Sequence, residues 1–191
     1  MAREYWKPGN MLYPLPAVMV SCGREGETPN IITLAWVGTV CSDPVMVSIS
    51  VRKERFSHAI ISDTKEFVIN LVNEDTAKAM DWCGVKSGRD FDKFKEMNLT
   101  AVASKTVGCP SIEECPVSLE CKVKQVLELG SHDMFVAEVT AVSVDGKYMD
   151  EKGLCDMGKM NLIAYNHGEY CKLGEKIGKF GYSVAGTGKK K

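Results

Sequence analysis

Apolar and polar residues alternate in short runs along most of this chain, and the alternation predicts strands. PVMVSISV sets Ile49 and Val51 against Ser48 and Ser50, giving a half-buried strand whose polar face is free to meet a ligand. AVMVSC, NIITLAW and EFVINLV read as further strands, with REGETP turning after the first and Asp43-Pro44 lying in a Gly/Ser turn before PVMVSISV. The clearest strand is PVSLECKVKQVLELG. Val117, Leu119, Cys121, Val123, Leu127 and Leu129 share one phase, while Ser118, Glu120, Lys122, Lys124 and Glu128 hold the other, so one face is expected buried and the other wet. SHDMFVAEVTAVSVDG pairs with it as an antiparallel hairpin around Gly130 to Asp133, which places His132 in the turn.

Helical spacing is confined to the middle of the chain. Ser57 before HAII reads as the N-cap of a short helix. Glu74 to Cys83 reads as an amphipathic helix that packs through Ala77, Met80 and Trp82 or Cys83, broken by Gly84 and Gly88. Phe91, Phe94 and Met97 predict a second short helix in DFDKFKEM. A mainly β chain with a few short helices predicts an antiparallel barrel rather than a doubly wound sheet. Residues 1–13 form an irregular arm with Tyr5 and Trp6 as anchors for a neighbouring surface, and residues 184–191 a disordered tail. The whole chain, 1–191, is expected to be one domain.

Composition narrows the partners. The 24 Lys and Arg residues balance 25 Asp and Glu, which argues against a nucleic-acid surface or a polybasic membrane anchor. MAREYWKPG holds no apolar signal core, and no segment nears about eighteen uninterrupted apolar residues, so a cytoplasmic protein is expected. The 8 cysteines include no C-x-x-C pair. Cys109, Cys115 and Cys121 are evenly spaced, but not as zinc ligands are, and reduced packing cysteines are expected.

Familiar catalytic motifs are missing. No G-x-G-x-x-G opens a helix after a strand, no H-E-x-x-H occurs, and His58, His132 and His167 are scattered, so no metal site is expected. Gly186-Thr187-Gly188-Lys189 lacks the hydroxyl residue after the lysine that a phosphate loop needs. Arg52, Lys53 and Arg55 are the exception: they cluster where the PVMVSISV strand ends and the Ser57 helix starts. A helix start presents outward N–H groups at the positive end of its dipole, where phosphate binds readily. Arg52 or Arg55 can add a bidentate contact, and Lys53 only a point charge. A cofactor with its ring on the strand and its phosphate at the helix start fits this order; so does a solvated basic turn.

The order of pieces resembles the flavin reductase-like, FMN-binding split-barrel proteins, and within them the flavoredoxin group. The matching pieces are Pro14-x-Pro16 leading into AVMVSC, PNIITLAW, Ser42-x-Pro44, SVRKERFSH, EFVINLV, LELGSHDMFVAEV and the tail YNHGEYCKLGEKIGKFGYS. The resemblance implies an antiparallel, Greek-key-like split β-barrel holding FMN non-covalently. By it, Thr33, Ala35, Trp36 and Thr39 border the isoalloxazine, Ser50 and Val51 line the ribityl side, and Arg52, Arg55 and Ser57 receive the phosphate. His132 is placed on the nicotinamide side, while the flavin itself carries the chemistry. The implied function is a flavoredoxin-type oxidoreductase, homodimeric, with a ferredoxin-like protein or NAD(P)H as redox partner. An NAD(P)H-dependent flavin reductase and a pure FMN-binding electron carrier are the competing implications. From residues alone, Trp36 reads as a core residue and Asn70 as a locally bonded barrel residue.

Overall fold

The computed structural model describes residues 2–185; the 186–191 part of the expected disordered tail, with its Gly-Thr-Gly-Lys run, lies outside the described residues. In chain order the elements are β1 (Leu15–Pro16), β2 (Val18–Cys22), β3 (Asn30–Leu34), β4 (Val37–Ser42), β5 (Val45–Arg52), α1 (Phe56–Thr64), β6 (Glu66–Leu71), α2 (Ala77–Val85), α3 (Lys93–Glu96), β7 (Ala101–Val102), β8 (Ser111–Ile112), β9 (Val117–Glu128), β10 (His132–Val144), two 3₁₀ turns, β11 (Ile163–Asn166) and β12 (Glu169–Lys172). Seven strands form one antiparallel sheet in the order β3-β2-β6-β9-β10-β5-β4. β3 and β4 are consecutive in the chain yet stand at opposite ends of that order. Since only Ala35 and Trp36 separate them, the sheet has to curl until its edges meet, which makes a split β-barrel with Ala35-Trp36 at the seam.

The strand expectations hold, with local corrections. Val37–Ser42, expected as a turn, is an edge strand paired with β5, and only Asp43-Pro44 turns the chain. Its exposed positions hide the strand from any reading that rests on apolar alternation. Gly84 does not end α2 but lies inside it, where an added Cβ would come 3.0 Å from the Thr33 Cβ; the glycine lets helix and strand approach closely. Arg55, not Ser57, is the N-cap of α1, without a side-chain capping bond, and Ser57 is buried inside the helix.

The barrel interior is filled by Val18, Val20, Ile49, Val51, Phe67 and Phe135 with their neighbours. A second cluster, Met19, Ile31, Met80, Cys83 and Phe94, packs α2 and α3 against the outside of β2 and β3. Both faces of β2 are therefore covered, as its run of five buried residues records. The loop through Lys105 and Thr106 overturns the expected wet face at the start of β9, where Ser118 and Glu120 are buried. Their polar groups are satisfied rather than hydrated. Glu120 accepts from the Lys105 and Thr106 N–H groups at 2.8 and 2.6 Å, and Ser118 donates to Asn70 Oδ1 at 2.8 Å. Asn70 in turn links β2 and β8 through bonds from its Nδ2 to the Met19 carbonyl and from the Ile112 N–H to its Oδ1. Five cysteines, at 22, 83, 109, 115 and 121, are free thiols in these packed regions, and burial pushes each of them up from its ordinary value. Among the described residues no helix is long and apolar enough to cross a membrane.

Candidate functional site

The seam opens into a cavity of about 380 Å³. Thr33, Ala35 and Trp36 reach it from the end of β3, Ser50 and Arg52 from β5, and His132 from the start of β10. Asp81 and Gly84 of α2, with Tyr165 and Tyr170 of the C-terminal hairpin, form the opposite wall. Trp36 is not core: it is 39% exposed, and its ring stacks on His132 at 6.3 Å between centroids and 7° between planes. His132 stands opposite Arg52 in the β10–β5 ladder, so it is a strand residue rather than a turn residue. Tyr170 donates to Asp81 at 3.0 Å; burial and that carboxylate push its hydroxyl up to about 12, so it keeps its proton at neutral pH.

A smaller cavity of about 150 Å³ adjoins the first, sharing Ile32, Arg55 and Gly84 with it. Arg55, Lys86, Arg89 and Lys93 line it against one acid, Glu54, so it suits an anion. Lys93 is 3% exposed and donates to the Ile31 and Cys83 carbonyls at 2.6 and 2.7 Å. Burial pulls its ammonium down to about 8. Asn30, 4% exposed, donates from Nδ2 to Ser57 Oγ at 2.7 Å, and its Oδ1 is buried with no partner. Turned over, the amide accepts from the serine hydroxyl and offers its NH₂ to the cavity. Gly88 closes this wall, and a Cβ there would come 2.0 Å from Asn30 Oδ1.

Six of the residues predicted for the site, Thr33, Ala35, Trp36, Ser50, Arg52 and Arg55, line the larger cavity together, and Ser57 lines the smaller one. Thr39 is exposed on β4 and lines neither, and Val51 points into the barrel core. The alternatives left open at Arg52 and Arg55 separate here. Arg52 pairs with Glu54 at 3.5 Å, while Arg55, which faces both cavities, makes no ion pair among the described residues. Lys53 is engaged elsewhere, on Glu128 and Asp133. Sequence reasoning missed Asn30, Lys86, Ser87, Arg89 and Lys93. The signal was the basic residues of KSGRDFDK around Gly88, taken as a mere break between helices.

Residues 11–174 match the family model described as the flavin reductase like domain. The chain belongs to this family. Its fold superposes on flavoredoxin of Desulfovibrio vulgaris (Miyazaki F) with a TM-score of 0.88 and 28% identity, covering 96% of this chain and 100% of that one. The FMN-binding protein of Thermus thermophilus, solved with 1-cyclohex-2-enone, gives a TM-score of 0.79 at 25% identity over 93% of this chain and 99% of that one. The reductase component of a 4-nitrophenol 4-monooxygenase/4-nitrocatechol 2-monooxygenase from Rhodococcus opacus is 31% identical over 121 residues, 63% of this chain and 61% of the relative. Family and neighbours support a flavin as the cofactor. The donor set fits one: a buried amide with one atom left unpartnered, a glycine wall with no room for a side chain, and cations without an ion pair among the described residues at the end of a cavity edged by a half-exposed tryptophan.

Proposed function

We propose that this protein is an FMN-binding redox protein of the flavoredoxin type, passing electrons through a non-covalently held flavin. The observation that carries the reading is the cationic cavity beside the seam, whose size suits one terminal phosphate. Arg55 is the principal phosphate contact, supported by Ser57, Asn30 and Arg89, with Arg52 beside it. Thr33, Ala35, Trp36 and Ser50 border the ring and ribityl side, and His132 holds Trp36 from the side where a nicotinamide would approach. Bound FMN supplies the one- and two-electron chemistry; the chain supplies placement, electrostatic balance and access. The purified protein is expected to be yellow and to release FMN, not FAD, on acid treatment, read by chromatography. A colourless protein that takes up no added FMN would overturn the reading.

A flavin reductase drawing electrons from NAD(P)H is the second reading; the Rhodococcus opacus relative's name makes that protein a reductase component. The leading reading expects a reduced iron–sulfur protein such as a ferredoxin to bleach the flavin faster than NADH or NADPH, because the ring end is open and no dinucleotide motif is present. Bleaching within milliseconds by micromolar NADH or NADPH, abolished by His132→Ala with FMN still bound, would replace it with the reductase. The protein acts in the cytoplasm as a single-domain homodimer, its arm at the dimer contact. Tyr5 at 95%, Trp6 at 78% and Leu12 at 82% exposure leave that arm's apolar side chains uncovered in one chain. Light scattering checks this, a monomer mass contradicting it.

A further inference from the structure

One buried carboxylate ties together the segment that presents Arg52 and Arg55. Asp133, its side chain 8% exposed, lies on β10 next to His132 and opposite Val51 of β5. Its Oδ2 meets His58 Nε2 at 2.8 Å, and its Oδ1 lies 3.3 Å from Lys53 Nζ. Lys53 also reaches Glu128 at 2.9 Å. Lys53 and His58 flank Arg55, so the turn is gripped on both sides from a single point. Other contacts also bear on the turn: Arg89 donates from Nη1 and Nη2 to the Glu54 carbonyl, both at 3.3 Å, and Arg52 pairs with Glu54 at 3.5 Å. Backbone bonds run from the Arg55 N–H to the Arg52 carbonyl and from the His58 N–H to the Arg55 carbonyl, both at 3.0 Å, and α1 has no side-chain cap. His58 is itself wedged edge-on against Phe135 of the barrel core at 5.4 Å. On the neighbouring position of the same strand, His132 stacks on Trp36.

We propose that Asp133 is a positioning residue for flavin phosphate: by holding Lys53 and His58 it fixes the Arg52–Arg55 turn at a set distance from the His132–Trp36 pair. Asp133 touches no ligand in this account, which rests on the FMN reading above. Because its negative charge neutralises Lys53, electrostatics alone would have its removal tighten phosphate binding. Positioning has the opposite sign. The carboxyl stays ionised near neutral pH: burial raises it, but the hydrogen bond from His58 and the Lys53 ammonium together bring it below its ordinary value.

The test is titration of apoprotein with FMN and with riboflavin, followed by flavin fluorescence, for the wild type, Asp133→Asn, Lys53→Gln and the double variant. Asp133→Asn is expected to weaken FMN about tenfold while riboflavin changes by less than about twofold. The double variant is expected to lose no more than Asp133→Asn alone, since both changes release one grip. Tighter or unchanged FMN binding in Asp133→Asn overturns the proposal, as does equal loss of both ligands, which marks a general structural role. Should Asp133→Asn fail to fold, Lys53→Gln decides in the same way: an FMN loss with riboflavin kept and additivity with Arg55→Ala absent supports the grip, and full additivity overturns it. A wild type that binds riboflavin as tightly as FMN would overturn the FMN reading itself and this proposal with it.

Discussion

At the cationic end of the seam, Ser57, Asn30 and Lys93 are buried, hydrogen-bonded across three elements and closed in by Gly88. At the ring end, Trp36 and Tyr170 are 39% and 42% exposed and lean on His132 and Tyr165 through ring contacts. The contrast assigns different work to the two ends. A close-packed, preorganised end can hold a charged group with little loss of freedom on binding, whereas a half-open aromatic end leaves the redox-active ring within reach of a partner. Affinity should therefore reside at the phosphate, and exchange of electrons at the ring.

Alkali should break the packed end together with the core behind it: Cys22 and Cys83 lie beside Ser57 and Lys93, and Cys115 and Cys121 lie in the two core clusters. The thiols of Cys22, Cys115 and Cys121 are pushed up to about 12 and that of Cys83 to about 11, from an ordinary 9. A raised value means the stability these thiols contribute is complete below pH 9 and lost as pH climbs toward the folded values, roughly 1 kcal/mol per thiol for each pH unit. Lys93 has the opposite sign: with its value brought down from 10.5 to about 8, the burial cost of its charge is relieved as pH rises across that window. One lysine against several thiols predicts a stability maximum near pH 9 and unfolding soon above it, read by urea titrations at stepped pH. A flat profile to pH 11 would show that this region is less closed than described.

Gly88→Val attacks the same end sterically. Its branched side chain must displace Asn30 and Phe56, whose Cδ1 lies 2.9 Å from even an added Cβ. FMN affinity is expected to fall by about two decades or more, with stability down by about 1–3 kcal/mol from overpacking. Calorimetric titration and thermal denaturation check the pair. Arg55→Ala should weaken FMN by about one to two decades, the worth of a charged hydrogen bond of roughly 1.5 to 3 kcal/mol, and spare riboflavin. Arg52→Ala, already shared with Glu54, should lose less. At the ring end, Trp36→Ala removes one stacked pair, so affinity should change by only about 0.5–1.5 kcal/mol, while stopped-flow exchange of electrons with a protein donor becomes no slower. A larger affinity loss at Trp36 than at Arg55 would reverse the division of work.

How far each end was legible in the sequence follows from the same contrast. The barrel was, because Ile49, Val51, Leu119, Cys121 and their like repeat with the period of a strand; within the seven-stranded sheet only Val37–Ser42, which lacks the pattern, was missed, and outside it the short pairs β7–β8 and β11–β12 were missed too. Ser118 and Glu120 misled because a long loop covers what alternation calls a wet face, and no local pattern announces such a cover. Arg52, Arg55 and Ser57 were visible as a charged run before a helix. Asn30, Lys86, Arg89 and Lys93 were not, since they reach the same cavity from separate parts of the chain, and only the packing of α2 and α3 on β3 brings them there. Asp133 was hidden for the same reason: it acts on Lys53 and on His58, the latter 75 positions earlier.

The division of work between the ends is tested most directly by one ratio, the dissociation constants of riboflavin and FMN for the wild-type apoprotein at low and at moderate salt. If the phosphate is the anchor, FMN binds about a hundredfold more tightly, and the advantage shrinks as salt screens the cationic cavity. Equal affinities, unmoved by salt, would contradict it.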